Sequence, residues 1–186
     1  MPRIKVVTYE KATGRLKEIY DELVSKRGKL ADVHTIQSLR PESIVKHMDL
    51  YLEIMFSHSE LSRAQREMMA VVVSAANGCS YCIAHHSQAL HHYWKDMVRI
   101  KSLINDYSTL GLTANDEALC RFARHLTKSP EAHEAGDFTG SLRDDGLSDQ
   151  AILDATLVIA YFNFVNRIVL ALGVASNADE SQDYRY

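Results

Sequence analysis

Apolar residues recur at intervals of three and four along nearly the whole chain, the spacing that gathers side chains onto one face of a helix. Leu16, Ile19, Tyr20 and Leu23 make one such stripe. Ile44, Met48, Tyr51, Leu52 and Met55 make the next, opening just after Pro41, a residue suited to a first helical turn. Ser62 followed by Gln65 has the form of a capping box, which predicts a helix running through MMAVVVSAA to a stop at Asn77-Gly78. A further helix begins at or near Cys79 and runs towards Trp94, and a shorter stripe of Val98, Leu103, Ile104 and Tyr107 ends before Gly111. Thr113 with Asp116 marks another start, whose helix ends before Pro130.

Residues 132–146 hold Gly136, Gly140 and Gly146 and are expected to form a connector with one short helical turn. Ser148 then caps the last long helix. Val71 to Val73 alone would suit a strand, but the length of the pattern and the capping signal decide for helix. No run alternates with period two, and no composition break divides the chain. The expected fold is all-α, a single domain over residues 1–186.

Composition supports that architecture and narrows the partners. With 186 residues, 46% hydrophobic and 24% charged, the chain can build a sizeable core without disulfide or metal staples. A net charge of -3 and the lack of a dense Lys/Arg run give no footprint for nucleic acid or an anionic membrane surface. Residues 1–10 carry Arg3 and Lys5 but no apolar stretch long enough for a signal-peptide core, so a cytoplasmic location is expected. Residues 151–174 are long enough to raise the question of a membrane span, which needs roughly 20 apolar residues. Asp154, Asn163, Asn166 and Arg167 interrupt them, and a core helix is the better reading.

Three cysteines without an export signal do not make a disulfide framework; the close pair Cys79 and Cys82 points to redox or metal chemistry instead. On a helix, Cys79, Cys82 and His86 fall within an arc of roughly 60 degrees. An ordinary thiol is only a few per cent ionised at neutral pH, so a working one needs help. A helix start beside Gly78 supplies unpaired N–H groups, and His86, one turn beyond Cys82, can take a proton. Glu67 lies twelve residues before Cys79; packing of its helix against the cysteine helix would part-bury the carboxylate and make it a proton relay. Its alternative role is an exposed ion pair with Arg63, worth about 0.3 to 0.5 kcal/mol.

Zinc is the competing use of a CxxC, with His86 as a third ligand, but no second CxxC or well-spaced His pair completes the set, and neither metal nor cofactor is expected. His85, His91 and His92 are expected to face solvent or an interface. Cys120 reads as a core residue. Asn163, Asn166 and Arg167 are expected to be structural, bonding backbone or a neighbouring subunit.

The pattern Glu67, Cys79-x-x-Cys82, His86 resembles the AhpD-like branch of the carboxymuconolactone decarboxylase superfamily. FARHLTKSP and AYFNFVNRIVLALGV extend the resemblance over nearly the whole chain, from about Val7 to Val174. The resemblance implies an AhpD-like helical fold, with an antiparallel helix pair carrying the CxxC site. It also implies a thiol-dependent peroxidase or disulfide reductase: Cys82 becomes the sulfenic acid, Cys79 resolves it as a disulfide, and Glu67 and His86 carry the proton through a bound water. A peroxide substrate, a dithiol reductant such as a lipoyl or thioredoxin-like protein, and a homo-oligomer follow from the same likeness. A lactone-processing lyase or isomerase, and a non-catalytic redox sensor, are the alternatives. The best-known members carry a histidine immediately before the second cysteine; here Tyr81 stands there, and tyrosine is a poor base at neutral pH.

Overall fold

The computed structural model describes residues 1–175, and all regular structure in them is helical. The helices are α1 (Gly14–Arg27), α2 (Asp32–Thr35), α3 (Pro41–Phe56), α4 (Arg63–Asn77), α5 (Ser80–Trp94), α6 (Met97–Asp106), α7 (Ala114–Lys128), α8 (Ala132–Ala135), α9 (Phe138–Asp144) and α10 (Asp149–Leu172).

Helix α4 is the axis of the molecule. The run Met68, Met69, Ala70, Val71, Val72 and Val73 is buried on every side, because α5, α7 and α10 pack around it. A helix that is apolar all round is stable only when enclosed in this way. Helix α10 is long and apolar enough to cross a membrane, yet here Val158, Ile159, Phe162, Val165 and Val169 pack into the core cluster around α4. A second, smaller core joins α1 to α3 through Leu16, Ile19, Tyr20, Leu23, Ile44 and Met48.

Local chemistry sets the ends of α4. Ser62 Oγ accepts from the Gln65 N–H while the Gln65 side chain accepts from the Ser62 N–H, so the capping box is complete. At the other end the Gly78 N–H donates to Ala75 O and the Cys79 N–H to Ser74 O, with Gly78 left-handed at φ 66°. That double closure is the Schellman arrangement, and it turns the chain back so that α5 returns along α4. Ser148 and Thr113 cap α10 and α7 as their positions suggest.

Some expectations fail on exposure and on short elements. Leu52 and Val98 belong to apolar stripes but are exposed, because the neighbouring helices cover only one side of α3 and α6. The connector before α10 holds two short helices rather than one turn; Asp137 caps the second by accepting from the Gly140 N–H. Helix α2, four residues long, has too little sequence for a periodic signal.

Gly78 gives a direct test of the turn. A Cβ there would meet nothing within 4 Å, so Gly78→Ala costs only the left-handed conformation, about 1 to 2 kcal/mol. Gly78→Asn should cost less, since asparagine tolerates that region. Urea midpoints of the two variants should fall in that order below the wild type.

Candidate active site

Cys79 is the N-cap of α5, and Cys82 lies in its first turn. Both thiols are free and fully buried, and of the two only Cys82 lines the cavity that opens beside α5. The cavity offers about 80 Å³ to water-sized solvent. The two sulfurs share a hydrogen bond: Cys82 donates and Cys79 accepts, which lowers the Cys79 pKa and raises that of Cys82, whose proton is held and whose surroundings are apolar. The Asn166 amide beside Cys82 acts the other way and favours its anion.

Glu67 is fully buried, and its carboxylate is held from both sides. Oε1 accepts from Arg63 Nη2 at 2.7 Å, and Oε2 lies 2.7 Å from His86 Nδ1. A carboxylate is an acceptor, so the His86 Nδ1 carries the hydrogen and Nε2 is left with its lone pair as a base. The ring is fixed edge-on against Phe162, centroids 4.4 Å apart, and His86 lines the cavity with Cys82. The exposed Arg63–Glu67 pair is thereby corrected to a buried one. Arg63 is itself anchored to the Met55 carbonyl and stacked over Phe56, 3.8 Å from the ring centre. Removing one partner of such a pair leaves an uncompensated charge in the core.

Sequence reasoning reached Glu67, Cys79, Cys82 and His86; the fold bonds Glu67 to His86 and sets His86 with Cys82 on one cavity wall. It missed most of the cavity wall. His34 on α2, His47, Met48 and Tyr51 on α3, Tyr161 and Val165 on α10, and Arg27 at the end of α1 all line it. His85, expected to face outward, lies on this wall too, because the return of α5 along α4 turns it towards α2; burial lowers its pKa to about 3. Tyr81 is buried and its hydroxyl accepts from the Val33 N–H, tying α5 to α2. Asn163, Asn166 and Arg167, expected to bond backbone or a neighbouring subunit, do reach backbone at Ile159 O and Asn163 O but also form a side-chain network within the chain. Asn77 Nδ2 donates to Oδ1 of both asparagines at 3.0 Å, Asn166 reaches Ser74, and Arg167 Nη1 donates to Asn163 Oδ1 at 2.7 Å. Cys120 is a core residue whose burial pushes its thiol pKa far up. Among the described residues no three His, Cys, Asp or Glu side chains converge to hold a metal ion.

Residues 43–125 match the model of the carboxymuconolactone decarboxylase family. The fold is that of the AhpD-core, peroxidase-related protein of Ralstonia eutropha JMP134, with TM-score 0.84, 24% identity, and 97% of this chain and 94% of that one covered. It is equally that of a peroxidase-related protein of Silicibacter sp. TM1040, with TM-score 0.82, 26% identity, and 99% and 98% covered. The segment match and these folds support membership of the AhpD-like carboxymuconolactone decarboxylase superfamily. The debrominase Bmp8, solved with 2,3,4-tribromopyrrole, has the same fold at TM-score 0.76 and 19% identity, with 97% and 96% covered. Within this superfamily fold, the matched segment spans α3 to α7 and so contains Glu67, both cysteines and His86, whereas α1, α2 and α10, which complete the cavity, lie outside it.

Burial holds His34 and His47 neutral, lowering their pKa values from 6.5 to about 3 and about 4. Below pH 6.5 the unfolded chain therefore binds protons that the folded chain refuses, and stability falls as the pH drops. Each imidazole contributes up to about 1.4 kcal/mol per pH unit to that loss. The urea midpoint should decline between pH 6.5 and 4, and His47→Gln should lessen the slope by about one proton.

Proposed function

We propose that the protein is a thiol-dependent peroxidase, with Cys82 as the attacking sulfur, Cys79 as the resolving one and the Glu67–His86 pair moving the proton. The observation that carries this reading is the 2.7 Å contact of Glu67 Oε2 with His86 Nδ1 on a ring that lines the cavity together with Cys82. Loss of the Cys82 hydrogen to His86 Nε2 leaves Cys82 as thiolate and the imidazole protonated. That thiolate attacks the terminal oxygen of R–O–OH; an S–O bond forms, the O–O bond breaks, and the departing RO⁻ takes the proton from His86. Cys79 then attacks the sulfenic sulfur, a disulfide forms, and hydroxide leaves as water with the Cys79 proton. A dithiol such as a lipoyl group or a thioredoxin-like protein returns the pair to two thiols.

A cytoplasmic location would supply such donors, which keep thiols reduced there. Leu153, Leu157 and Phe164 are exposed on α10 at helical spacing and give a second copy of the chain an apolar face to cover. A reductive dehalogenase is the second reading. It is favoured by the many rings around the cavity, from His34, His47, Tyr51, Tyr161 and Phe162, which suit a flat halogenated heteroaromatic substrate.

Brief peroxide treatment of a Cys79→Ser variant, followed by dimedone and mass spectrometry, should label Cys82. Label on Cys79 in a Cys82→Ser variant, with none on Cys82, would reverse the order of attack. Steady-state turnover of an organic hydroperoxide with dihydrolipoamide separates the readings. Bromide release from a bromopyrrole without hydroperoxide turnover would favour the dehalogenase. Glu67→Gln keeps the shape of the side chain but removes the charge that holds His86, and should lower kcat about 100-fold, the usual scale of a positioned acid–base group.

A further inference from the structure

The cavity wall carries a second chain of polar groups, drawn from α2 and the turn after it, α3 and α10. The Gln37 amide nitrogen donates to the Val33 carbonyl at 2.8 Å and lies 2.8 Å from His47 Nδ1. The carbonyl fixes which end of the amide is nitrogen, because an oxygen there would face an oxygen. His47 Nδ1 must then accept, so the neutral ring carries its hydrogen on Nε2. That Nε2–H lies 2.7 Å from the Tyr161 hydroxyl oxygen and donates to it. The tyrosine oxygen is thus occupied as an acceptor, and its own O–H is left to donate.

Tyr161 is 5% exposed, lines the cavity with Cys82, and has no other hydrogen-bond partner among the described residues. Burial raises its pKa well above the ordinary value, so it stays a neutral phenol and a donor throughout the physiological range. His34 lines the same wall, and its buried Nδ1 also lacks a hydrogen-bond partner. Two buried polar groups left unmatched at one cavity are costly unless something polar enters between them. Met48, Phe162 and Val165 give the wall an apolar part, while Arg27, Tyr51, Tyr81 and His85 add further polar groups.

We infer that the Tyr161 hydroxyl is a catalytic hydrogen-bond donor to a negatively charged substrate oxygen, with His47 and Gln37 as positioning residues. The substrate is then an organic hydroperoxide rather than hydrogen peroxide, its carbon substituent lying against the apolar wall. The choice of hydroperoxide rests on the peroxidase reading; the oxyanion site does not. As Cys82 takes the terminal oxygen and the O–O bond breaks, charge develops on RO⁻, and a donor already aimed and dry stabilises it without reorganisation. Tyr161 gives up no proton in this step. The proton that completes ROH comes from His86, so the donor needs no recharging.

Two measurements test the assignment separately. The first is binding of 4-nitrophenol, whose anion is yellow, to Cys82→Ser protein with and without Tyr161→Phe. Tyr161→Phe should weaken binding of the phenolate about tenfold, the loss of one good hydrogen bond, and leave binding of the neutral phenol unchanged. Equal phenolate affinity in the two proteins, or no binding to either, overturns the oxyanion site. The second is turnover of cumene hydroperoxide and of hydrogen peroxide by otherwise wild-type protein. Tyr161→Phe should lower kcat for cumene hydroperoxide about 100-fold with little change in KM, the scale of a lost oxyanion donor. His47→Gln, which can still donate to Tyr161, should retain most of that rate, and His47→Leu should fall to the level of Tyr161→Phe. An unchanged kcat in Tyr161→Phe, or equal loss in both His47 variants, overturns the assigned roles. Phenolate binding that depends on Tyr161 in a protein that turns over no hydroperoxide would overturn the peroxidase reading and leave the oxyanion site standing.

Discussion

A carboxylate with no access to water must be held by cations or donors on every side, and the molecule is built to hold one. Glu67 reaches Arg63 through one oxygen and His86 through the other. The Arg63 contact lies within α4, but the His86 contact exists only because α5 returns along α4, and that return depends on the Gly78 turn. The same bond that satisfies the buried charge also selects the tautomer of His86. Stability and chemistry therefore rest on one interaction, and relaxing it would disturb both.

The cavity has two polar sides of opposite character. On one, an acidic partner pins the imidazole hydrogen away from the cavity, leaving a base. On the other, an amide pins the His47 hydrogen towards Tyr161, leaving a donor. The nature of the outer partner decides which nitrogen of each ring must carry a hydrogen. In the proposed reaction a proton leaves the nucleophile while charge appears on a leaving oxygen, and a base and a donor on the same cavity suit both.

The two thiols differ in position and surroundings. Cys79 caps α5, where backbone N–H groups and the bond from Cys82 favour an anion, but it has no cavity to attack into. Cys82 holds the proton at rest, yet it alone faces the cavity and the Asn166 amide. Acidity in the pair and access to substrate thus sit on different atoms, coupled by a single shared hydrogen. Asn166 is fully buried and braced by Asn77 and Ser74, so the polar interior of α10 serves the placement of a sulfur on α5.

The long helices, their caps and the cysteine cluster were legible because each depends on residues close in sequence: Ser62 with Gln65, Gly78 after Asn77, and Cys79, Cys82 and His86 within two turns. Glu67 was within reach for the same reason, its helix being joined to theirs by a two-residue link. Its burial was not, since an i, i+4 partner such as Arg63 looks alike on a surface or in a core. The wall formed by His34, His47 and Tyr161 left no local signal at all. His47 and Tyr161 are 114 positions apart, and nothing in the flanking residues of either distinguishes a cavity-lining ring from a core one. Only the packing of α3 against α10 brings them together, and only then do an amide, an imidazole and a phenol become one directed chain of hydrogen bonds.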